Sequence, residues 1–584
     1  MLDVVGVSID EDLITAWRAR VRRAGARLGW INRHAVARRH AGGVSLAIAA
    51  PDDQLFLATE VNEWALSASL VERDPVRWRD LQERLIAAAL EAAEGRENPG
   101  ADLPPVVEES AALARFEHLA SLESRPRLQA LLHAADSRGL PHVMDDSVLT
   151  LGAGVAGRNF SLVALPDVTD VPWEALGDIP TALVTGSNGK TTTVRLLAAC
   201  ARSHGWHAGY NCTDGVFLDD EALATGDYSG PAGARMVMRE PRTQAAILET
   251  ARGGILRRGI AVSRANTAVV TNVSSDHFGE YGIDDLAGLA QVKLAVAAAV
   301  DLAGLLVLNA DDEQLRAHAE GLGPRFGRNP PLGWFSVSSD QRRLREYRLH
   351  GASTCGVREG RLHLSHGGAE HDLGLISAMP LSMGGIAAYN VANLAGAALA
   401  AAALGITPTT IASVFARFGS RLDDNPGRMM RFEVRGVKVL IDYAHNPDGL
   451  RGFLTVAAHL RGATGRLGLL LGHAGNRQDA DIEELARVAA EFHPDLVVVK
   501  EDEAHLRGRA PGEIPRIIRA ELRRLGFPDA ALPVGNSEVE AARYALDWAR
   551  PGDVLAFPLH SSSARQTVVS LLENSAVQPA PGMR

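Results

Sequence analysis

Short apolar runs alternate with Ala- and Leu-rich segments through most of the chain after residue 180. "TALVTG", "AAILET", "NTAVVTNV" and "AGLLVLNADDE" come first, and "VKVLIDYAHN", "RLGLLLGHAGN", "DLVVVKEDE" and "DVLAFPLHSSS" follow Arg428. This alternation is typical of parallel strands covered by helices. Ligands of such sheets bind at the carboxyl ends of the strands, so the residues that follow each apolar run are candidates for a binding site.

Two regions depart from this alternation. In the first, the pattern predicts a basic amphipathic helix in "LITAWRARVRRAGARLGWINRHAVARRH", two short strands in "VSLAIAAPDDQLFLATEV" and a helix in "DLQERLIAAALEAAEGRENPG". The basic helix face is interpreted as solvated rather than as a binding site. In the second region, residues 332 to 378, short polar strands are predicted, such as "RLREYRLHG" and "GRLHLSHGG". A glycine-rich loop, "SMGGIAAYN", then precedes an Ala-rich helix.

These patterns predict an α/β protein with three domains and a tail. A small N-terminal α/β domain of unassigned role covers residues 1–165, and a central domain with a parallel sheet covers 170–425. A second, Rossmann-like α/β domain covers 428–575, and residues 576–584 form a disordered tail.

Composition narrows the function classes. The net charge of −10 argues against nucleic-acid binding as the main function. Three cysteines fit neither a disulfide framework nor a zinc site, which favours a reducing, cytoplasmic setting. We expect no membrane span and no signal peptide, because no apolar run is long enough and "MLDVVGVSIDEDL" is acidic. Only four of the 60 basic residues are lysines, which is typical of a GC-rich coding bias, but it also makes each lysine a candidate for a position where arginine cannot substitute.

The first lysine lies in "TGSNGKTTT", residues 185–193, between an apolar run and a helical pattern. This stretch departs from the common P-loop pattern, which has a glycine where Val184 stands. Backbone amides of Gly186 to Gly189 and of the following helix can still hold phosphate. The Lys190 ammonium would reach the β- and γ-phosphates, and the Thr191 hydroxyl would bind Mg²⁺.

Further motifs agree in order with those of one family. The chain contains "LETARGGILR", "NVSSDHFGEYGIDD", "VKLAVA", "YNVANLAGA", "GRMMRFEV" and "IDYAHNPDGL". Together with the loop, they resemble the Mur ligase superfamily of ATP-dependent amide-forming enzymes over about residues 170–570. The "TDG", "LETARGGILR" and "KEDEAHLRGR" stretches look most like the Mur-like half of cyanophycin synthetases. The first 165 residues leave no room for the ATP-grasp half of those enzymes, so we expect a stand-alone ligase.

The resemblance implies roles for particular residues, with ATP and Mg²⁺ as cofactors. The catalytic residues would be Lys190, Glu249, His277 and Lys293. Thr191 and Glu249 would hold one Mg²⁺, and His277 and Lys293 a second. ATP would be bound by Gly186, Ser187, Asn188, Gly189, Lys190, Thr191, Thr192, Asn390, Asn393, Arg428, Asp442 and His445. Several family members carry a carbamylated lysine at the place of Lys293, which is here either a carbamate or an ammonium.

The substrate residues are less clearly indicated. The stretch "CTDGVFLDDEALATGDYSGPAGAR" should shape the pocket for the carboxylate, and the amino-acid pocket should lie on the C-terminal domain. The candidates are Thr213, Asp214, Arg252, Arg477, Lys500, Glu501 and Asp502. The acidic members would suit a guanidinium, but the charged run from Lys500 is equally typical of a solvated helix start.

Three hypotheses follow. The first is an ATP-dependent, ADP-forming ligase that joins an amino acid to the carboxylate of a small acidic peptide, related to cyanophycin synthesis. The second is a Mur-type ligase acting on another acidic scaffold. The third is a non-catalytic nucleotide-binding partner of a separate synthetase. We expect small acidic peptides or amino acids as substrates and neither nucleic acid nor membrane as a partner, and a homo-oligomer is left open.

Overall fold

The protein is described by a computed structural model. It describes residues 1–6, 9–31, 34–40, 43–76, 78, 108–275, 278, 280–475, 477–501 and 506–577. The chain forms two compact units. The first contains Met1–Leu151, Asn159–Leu176 and Phe278–Asp285, and the second contains Gly152–Arg158, Gly177–His277 and Leu286–Arg584. Within the described ranges, no helix combines the length and the apolar character needed to cross a membrane.

The first unit contains two small sheets and four described α-helices. Strands β1 (Leu2–Val5), β2 (Ala35–His40) and β3 (Gly43–Ile48) form an antiparallel sheet in the order β1-β3-β2. Strands β4 (His142–Met144), β5 (Val148–Leu151) and β6 (Arg158–Ser161) form the other, in chain order. The helices are Glu11–Arg27, Leu55–Arg73, Glu109–Glu123 and Pro126–Ser137.

Two predictions for this unit need correction. The basic helix ends at Arg27, and the last part of the predicted segment is strand β2. The second strand predicted in "VSLAIAAPDDQLFLATEV" is wrong, because "LFLATEV" opens the helix Leu55–Arg73. That helix buries Leu57, Val61 and Ala65, and a spacing of four residues places them on one helix face. The helix predicted over residues 80–100 and residues 578–584 of the predicted tail lie outside the described residues.

The second unit contains two sheets. The larger has eleven strands, in the order β10-β9-β8-β11-β7-β12-β13-β14-β15-β16-β17. Strands β8, β11, β7, β12, β13, β14 and β15 are parallel to one another, whereas β9, β10, β16 and β17 pair antiparallel at the two ends. The strands are β7 Thr181–Thr185, β8 Ala208–Cys212, β9 Gly215–Leu218, β10 Glu221–Thr225, β11 Ala245–Glu249, β12 Ala265–Val270, β13 Val300–Asn309, β14 Leu332–Phe335, β15 Ser353–Arg358, β16 Arg361–His366 and β17 Ala369–Leu375.

Helices flank this larger sheet. They are Lys190–His204, Pro231–Arg239, Arg252–Arg258, Leu286–Lys293, Glu313–Ala319, Leu322–Phe326, Arg342–Leu349, Ala388–Ala403 and Pro408–Phe415. The strand predicted in "RLREYRLHG" is wrong, since these residues form the helix Arg342–Leu349. Gln341 caps it by accepting a hydrogen bond from the Leu344 amide at 2.9 Å, and Leu344 is buried. The neighbouring prediction is confirmed, because "GRLHLSHGG" contains β16.

The smaller sheet of the second unit has six strands, in the order β18-β19-β23-β20-β21-β22. All of its pairs are parallel except β18 with β19. The strands are β18 Met430–Val434, β19 Val437–Asp442, β20 Leu467–Leu471, β21 Leu496–Lys500, β22 Val534–Gly535 and β23 Val554–Pro558, and the helices are Pro447–Leu460, Asp479–Glu491, Glu513–Arg524, Glu538–Trp548 and Ser562–Val577. The predicted α/β fold class, with parallel sheets, is confirmed.

The strand order determines where functional loops meet. Strands β11, β7, β12 and β13 are neighbours in the middle of the larger sheet, and they are parallel. Their carboxyl ends therefore share one edge, which is where α/β proteins bind ligands. The P-loop motif follows β7, and Glu249 is the last residue of β11.

Candidate functional site

The loop after β7 requires two of its glycines. Gly186 has a φ of +150°, and a Cβ there would lie 1.8 Å from the Thr271 hydroxyl oxygen. Gly189 has a φ of +83°, and a Cβ there would lie 2.2 Å from Asn393 Oδ1. Any larger residue would push these neighbours away, so the loop can approach the adjoining elements only with glycine.

The loop after β12 holds this glycine loop in place. The Ser187 amide donates to the Asn272 carbonyl at 3.0 Å, and the Asn188 amide donates to Asn272 Oδ1 at 2.9 Å. The Thr271 hydroxyl donates to the Asn188 carbonyl at 2.6 Å. With its backbone fixed on one side, the loop presents the start of helix Lys190–His204 to the edge of the sheet. Helix N-termini and their free amides attract phosphate.

A buried carboxylate lies beside that helix start. The Thr191 hydroxyl donates to Glu249 Oε2 at 2.8 Å, and the Thr213 hydroxyl lies 3.3 Å from Glu249 Oε1. Glu249 is only 1% exposed. Burial raises the pKa of its carboxyl group, although the Lys190 charge and the Thr191 hydrogen bond act in the opposite direction. A nearby cation would stabilise the charged form of this buried carboxylate.

The P-loop lysine lies over the loop that precedes it. Lys190 Nζ donates to the Gly186 and Ser187 carbonyl oxygens, both at 3.0 Å. These carbonyl oxygens keep the ammonium at the entrance of the phosphate-binding loop. In this position the positive charge of Lys190 can attract an anion bound in the loop.

The helix Ala388–Ala403 contributes two buried amides. Asn390 Nδ2 donates to the Leu381 carbonyl at 3.0 Å, and Asn393 Nδ2 donates to Asn390 Oδ1 at 3.2 Å. Both side chains are about 95% buried or more, so their geometry is fixed. Fixed amides of this kind can read the hydrogen-bonding edge of a bound ring.

The smaller sheet supplies a further wall at the end of β19. Asp442 Oδ2 accepts a hydrogen bond from the Met429 amide at 2.8 Å, and burial raises the pKa of Asp442 against the effect of the Arg428 charge. The Arg428 guanidinium lies 4.3 Å from the centre of the Tyr443 ring. His445 Nδ1 lies 3.2 Å from the Tyr443 carbonyl oxygen and can donate to it. A carboxylate, a guanidinium and an aromatic ring therefore meet at one strand end.

These elements surround a cavity of about 400 Å³. Most of the predicted nucleotide and metal residues line it, together with the substrate candidate Thr213. They are Ser187, Asn188, Gly189, Lys190, Thr191, Thr192, Glu249, Asn390, Asn393, Arg428, Asp442 and His445. Gly186 belongs to the same loop and lies against Thr271. The larger and the smaller sheet of the second unit thus supply the two sides of one cavity.

The sequence reasoning missed several lining residues: Asn272, Ser274, Asn309, Asp311, Asp312, Tyr389, Tyr443 and Asp448. The run "LNADDE" at the end of β13 carries a signal for three of them, because polar residues directly after a parallel strand are candidates for the ligand edge. Asp312 has a structural function as well. It caps the helix Glu313–Ala319 and accepts from the Val273 amide at 2.6 Å.

Other predicted residues that the structure describes lie outside this lining. Lys293 is buried at the last position of helix Leu286–Lys293, and Arg252 begins helix Arg252–Arg258. Arg477 is buried, and its carbonyl accepts from Arg509 at 2.6 Å. His277 and Asp502 lie outside the described residues.

The placement of two further substrate candidates gives them structural contacts. The Lys500 ammonium, 3% exposed, forms an ion pair with buried Glu538 and donates to the Pro558 carbonyl at 2.5 Å. Glu501 accepts from the Gly512 amide at 2.8 Å, at the start of helix Glu513–Arg524. The Lys500 contact is a buried pair joining β21 to helix Glu538–Trp548, so its charge is already compensated.

Among the described residues there is no group of three or more His, Cys, Asp or Glu side chains that could hold a metal alone. A hard cation of the Mg²⁺ type usually takes one or two protein oxygens together with waters and substrate phosphates. The Thr191 hydroxyl and the Glu249 carboxylate are such oxygen donors.

The glycine loop at the carboxyl edge of a parallel sheet, faced by a second α/β sheet, defines a P-loop α/β protein. Family models then identify its relatives. The Mur ligase middle domain matches residues 184–401, and the glutamate ligase domain of Mur ligases matches residues 427–557. The chain belongs to the Mur ligase family, as the motifs predicted.

Individual relatives agree with this membership. A cyanophycin synthetase from Nostoc sp. is 34% identical over 436 residues, which cover 74% of this chain and 45% of that protein. The UDP-N-acetylmuramoyl-L-alanyl-D-glutamate–2,6-diaminopimelate ligase of Alkalilimnicola ehrlichii is 32% identical over 380 residues, covering 64% of this chain and 69% of that ligase. The chain spans about half the length of the cyanophycin synthetases that it matches. A solved structure, Mycobacterium tuberculosis folylpolyglutamate synthase with ADP, covers 68% of this chain and 90% of its own at 17% identity and a TM-score of 0.47.

Proposed function

We propose that the protein is an ATP-dependent ligase that forms an amide bond between a carboxylic acid and the amine of an amino acid. One observation carries the proposal. A single cavity brings the P-loop lysine and the Thr191–Glu249 pair together with Arg428 and Asp442 of the smaller sheet. These are the groups that phosphoryl transfer to a carboxylate requires, since the chemistry depends on positioning and charge neutralisation.

The phosphate end of the nucleotide fits the glycine loop. Gly186 and Gly189 allow the loop to pack closely against Thr271 and Asn393, which a Cβ at either position would displace. Lys190 needs only to turn from its two carbonyl acceptors to reach a phosphate. Thr191 and Glu249 would hold Mg²⁺, whose chemistry here is to neutralise charge on the phosphates during transfer. Lys293 and His277 are proposed for a second ion.

The nucleoside end fits the remaining walls. Asn390 and Asn393 offer fixed amides for adenine. Asp442 offers a carboxylate for the ribose hydroxyls, with His445 beside it, and Arg428 offers a cation for the phosphates. The larger sheet would thus hold the phosphates, and the smaller sheet would close over the sugar.

The proposed reaction has two steps. A carboxylate oxygen of the acid attacks the γ-phosphorus, the bond to the β-phosphate oxygen breaks, and ADP leaves. The amine nitrogen of the amino acid then attacks the carbonyl carbon of the acyl phosphate, phosphate leaves, and the nitrogen loses a proton to water. The protein holds the reactants in line and stabilises the charge that develops on the oxygens.

The substrate class is proposed from the relatives. Cyanophycin synthetases and a diaminopimelate ligase both match the chain. We propose a small acidic peptide as the carboxylate and an amino acid as the amine, with a reaction related to cyanophycin synthesis.

A phosphate-release screen tests this proposal. Each of the twenty amino acids is combined with short acidic peptides, ATP and Mg²⁺, and the K190A variant measures background. The proposal expects phosphate release that needs both an acid and an amino acid, with a new amide product seen by mass spectrometry. Tight ATP binding without release for any pair would instead support a non-catalytic nucleotide-binding partner.

A further inference from the structure

The turn between β8 and β9 contacts both Glu249 and distant parts of the second unit. Its first residue, Thr213, lines the cavity and contacts Glu249 at 3.3 Å. Its next residue, Asp214, has a side chain that is 16% exposed and is bound to two arginines rather than to the cavity lining. The adjacent side chains of one turn therefore have two different sets of partners.

The two arginines come from distant parts of the chain. Arg195, on the P-loop helix, donates to Asp214 Oδ2 at 2.7 Å, and Arg565, on helix Ser562–Val577, donates to Asp214 Oδ1 at 2.8 Å. Burial alone would raise the pKa of Asp214, but Arg195, Arg428 and Arg565 outweigh it, so the pKa is lowered. The carboxylate is charged, and each of its oxygens accepts from a buried guanidinium. Such charge-assisted bonds are among the strongest side-chain contacts.

The linker between the two sheets is held by the same arginines. Arg195 also donates to the Pro426 carbonyl at 2.8 Å and to Asn425 Oδ1 at 3.3 Å. Asn425 in turn donates to the Thr192 hydroxyl at 3.2 Å. A Cβ at Gly427, where φ is +71°, would lie 2.3 Å from a guanidinium nitrogen of Arg565. Residues 425–427 are therefore packed between Arg195 and Arg565.

We infer that Asp214 is a positioning residue that fixes the smaller sheet and its linker against the P-loop helix, and so holds the two walls of the cavity together. The inference rests on the proposed function for its effect on nucleotide binding. The linkage itself is a property of the fold. Asp214 acts through Arg195 and Arg565, whose loss would let the linker and the β18–β19 wall move.

The linkage is tested without any ligand by hydrogen–deuterium exchange of residues 425–434. D214N and R565Q each remove one side of the ion pair, and the double variant removes both. D553N serves as the control, because Asp553 pairs with the partly exposed Arg466 at 2.6 Å, and these two residues directly precede β23 and β20 of the smaller sheet. We expect exchange to be at least about tenfold faster in D214N and in R565Q than in the wild type. The double variant should exchange no faster than the single variants, and D553N should exchange at the wild-type rate.

Binding of a non-hydrolysable ATP analogue with Mg²⁺ is then measured on the same variants. We expect about tenfold weaker binding for D214N and R565Q, wild-type binding for D553N, and recovery toward wild type in D214E, which restores the charge. Wild-type exchange of 425–434 in D214N would overturn the inference, as would faster exchange with unchanged affinity. If the wild type binds no nucleotide, the proposed function fails, and the exchange data still decide the linkage. If D214N does not fold, R565Q decides by the same two measurements, because it removes the Arg565 partner and leaves Asp214 in place.

Discussion

The substitution G189A tests the P-loop more sharply than removal of its lysine. Gly189 precedes the helix Lys190–His204 with a φ of +83°, and a Cβ added there would lie 2.2 Å from Asn393 Oδ1. Ordinary contact begins at 3.4 Å, so Asn393 must move by 1.2 Å (3.4 − 2.2). The same amide group donates through Nδ2 to Asn390 Oδ1 at 3.2 Å, so we expect the movement to disturb that hydrogen bond.

The expected cost has two parts. A non-glycine residue in the left-handed region costs about 1–2 kcal/mol of stability. The displaced Asn393 would lose one hydrogen bond within the protein and the one proposed to adenine, each worth about 1 kcal/mol. If both losses appear on nucleotide binding, the affinity falls by about 2 kcal/mol, or about 30-fold.

The same helix offers a matched control. Gly205, at its other end, has a φ of +101°, but a Cβ there meets nothing within 4 Å. G205A therefore carries the backbone cost without the collision. Isothermal titration with an ATP analogue and Mg²⁺, together with thermal unfolding, separates the two effects. We expect both variants to lose stability but only G189A to lose affinity, and G189A/N393S to unfold at a higher temperature than G189A.

Wild-type affinity in G189A would refute this reasoning. It would mean that Asn393 moves without consequence for the ligand, and that the amides of helix Ala388–Ala403 are not part of the nucleotide site. A loss of affinity in G205A as large as that in G189A would point to the P-loop helix as a whole rather than to the contact.

Three further substitutions have distinct expected outcomes. K190A should lower turnover by at least about 100-fold with the fold intact, because each charge contact in phosphoryl transfer is worth on the order of 3 kcal/mol; more than a tenth of wild-type turnover contradicts this. E249Q should abolish turnover yet raise the unfolding temperature at pH 7 to 8, since burial raises the pKa of Glu249 and the folded chain bears the cost of the charge. The cost of the charge is absent below the usual pKa of 4.5 and grows as the pH rises toward the raised pKa of the folded state. The increase in unfolding temperature should therefore be smaller at pH 4. An unfolding temperature of E249Q below that of the wild type at pH 8 would contradict this prediction. K293R should be inactive, and removal of CO₂ should slow the wild type, if buried Lys293 is a carbamate that arginine cannot form; a fully active K293R rules this out.

Local patterns were enough to predict eight of the parallel strands of the second unit, namely β7, β11, β12, β13, β19, β20, β21 and β23. Apolar runs such as "TALVTG" and "DVLAFP" are β7 and β23, because strands buried on both faces are apolar throughout. The P-loop could be found for the same reason, since its glycines, lysine and threonines are contiguous. The opening of the helix Leu55–Arg73 predicts a strand because a short apolar run is ambiguous, and the four-residue spacing of the buried side chains emerges only over the whole helix.

Contacts between distant residues could not be predicted from the sequence. In the sequence, Lys500 belongs to a charged run, yet in the fold it pairs with Glu538, 38 residues away. Asp214 was a substrate candidate, yet its partner Arg565 is 351 residues away. No local pattern contains such pairs, because they arise when separate elements pack. The lining residue Tyr389 was missed similarly, since its ring meets the helix Pro447–Leu460 at Gly452 only in the folded chain.

The central claim is that this cavity activates a carboxylate by transferring the γ-phosphoryl group of ATP to it. Isotope transfer tests the claim most directly. An acidic peptide that supports phosphate release is labelled with ¹⁸O in its carboxyl group, and the phosphate formed is analysed by mass spectrometry, with K190A as background. The account predicts one ¹⁸O atom in each phosphate released with amide product, because the carboxylate oxygen that attacks phosphorus leaves with it. Unlabelled phosphate formed together with the amide would contradict the account.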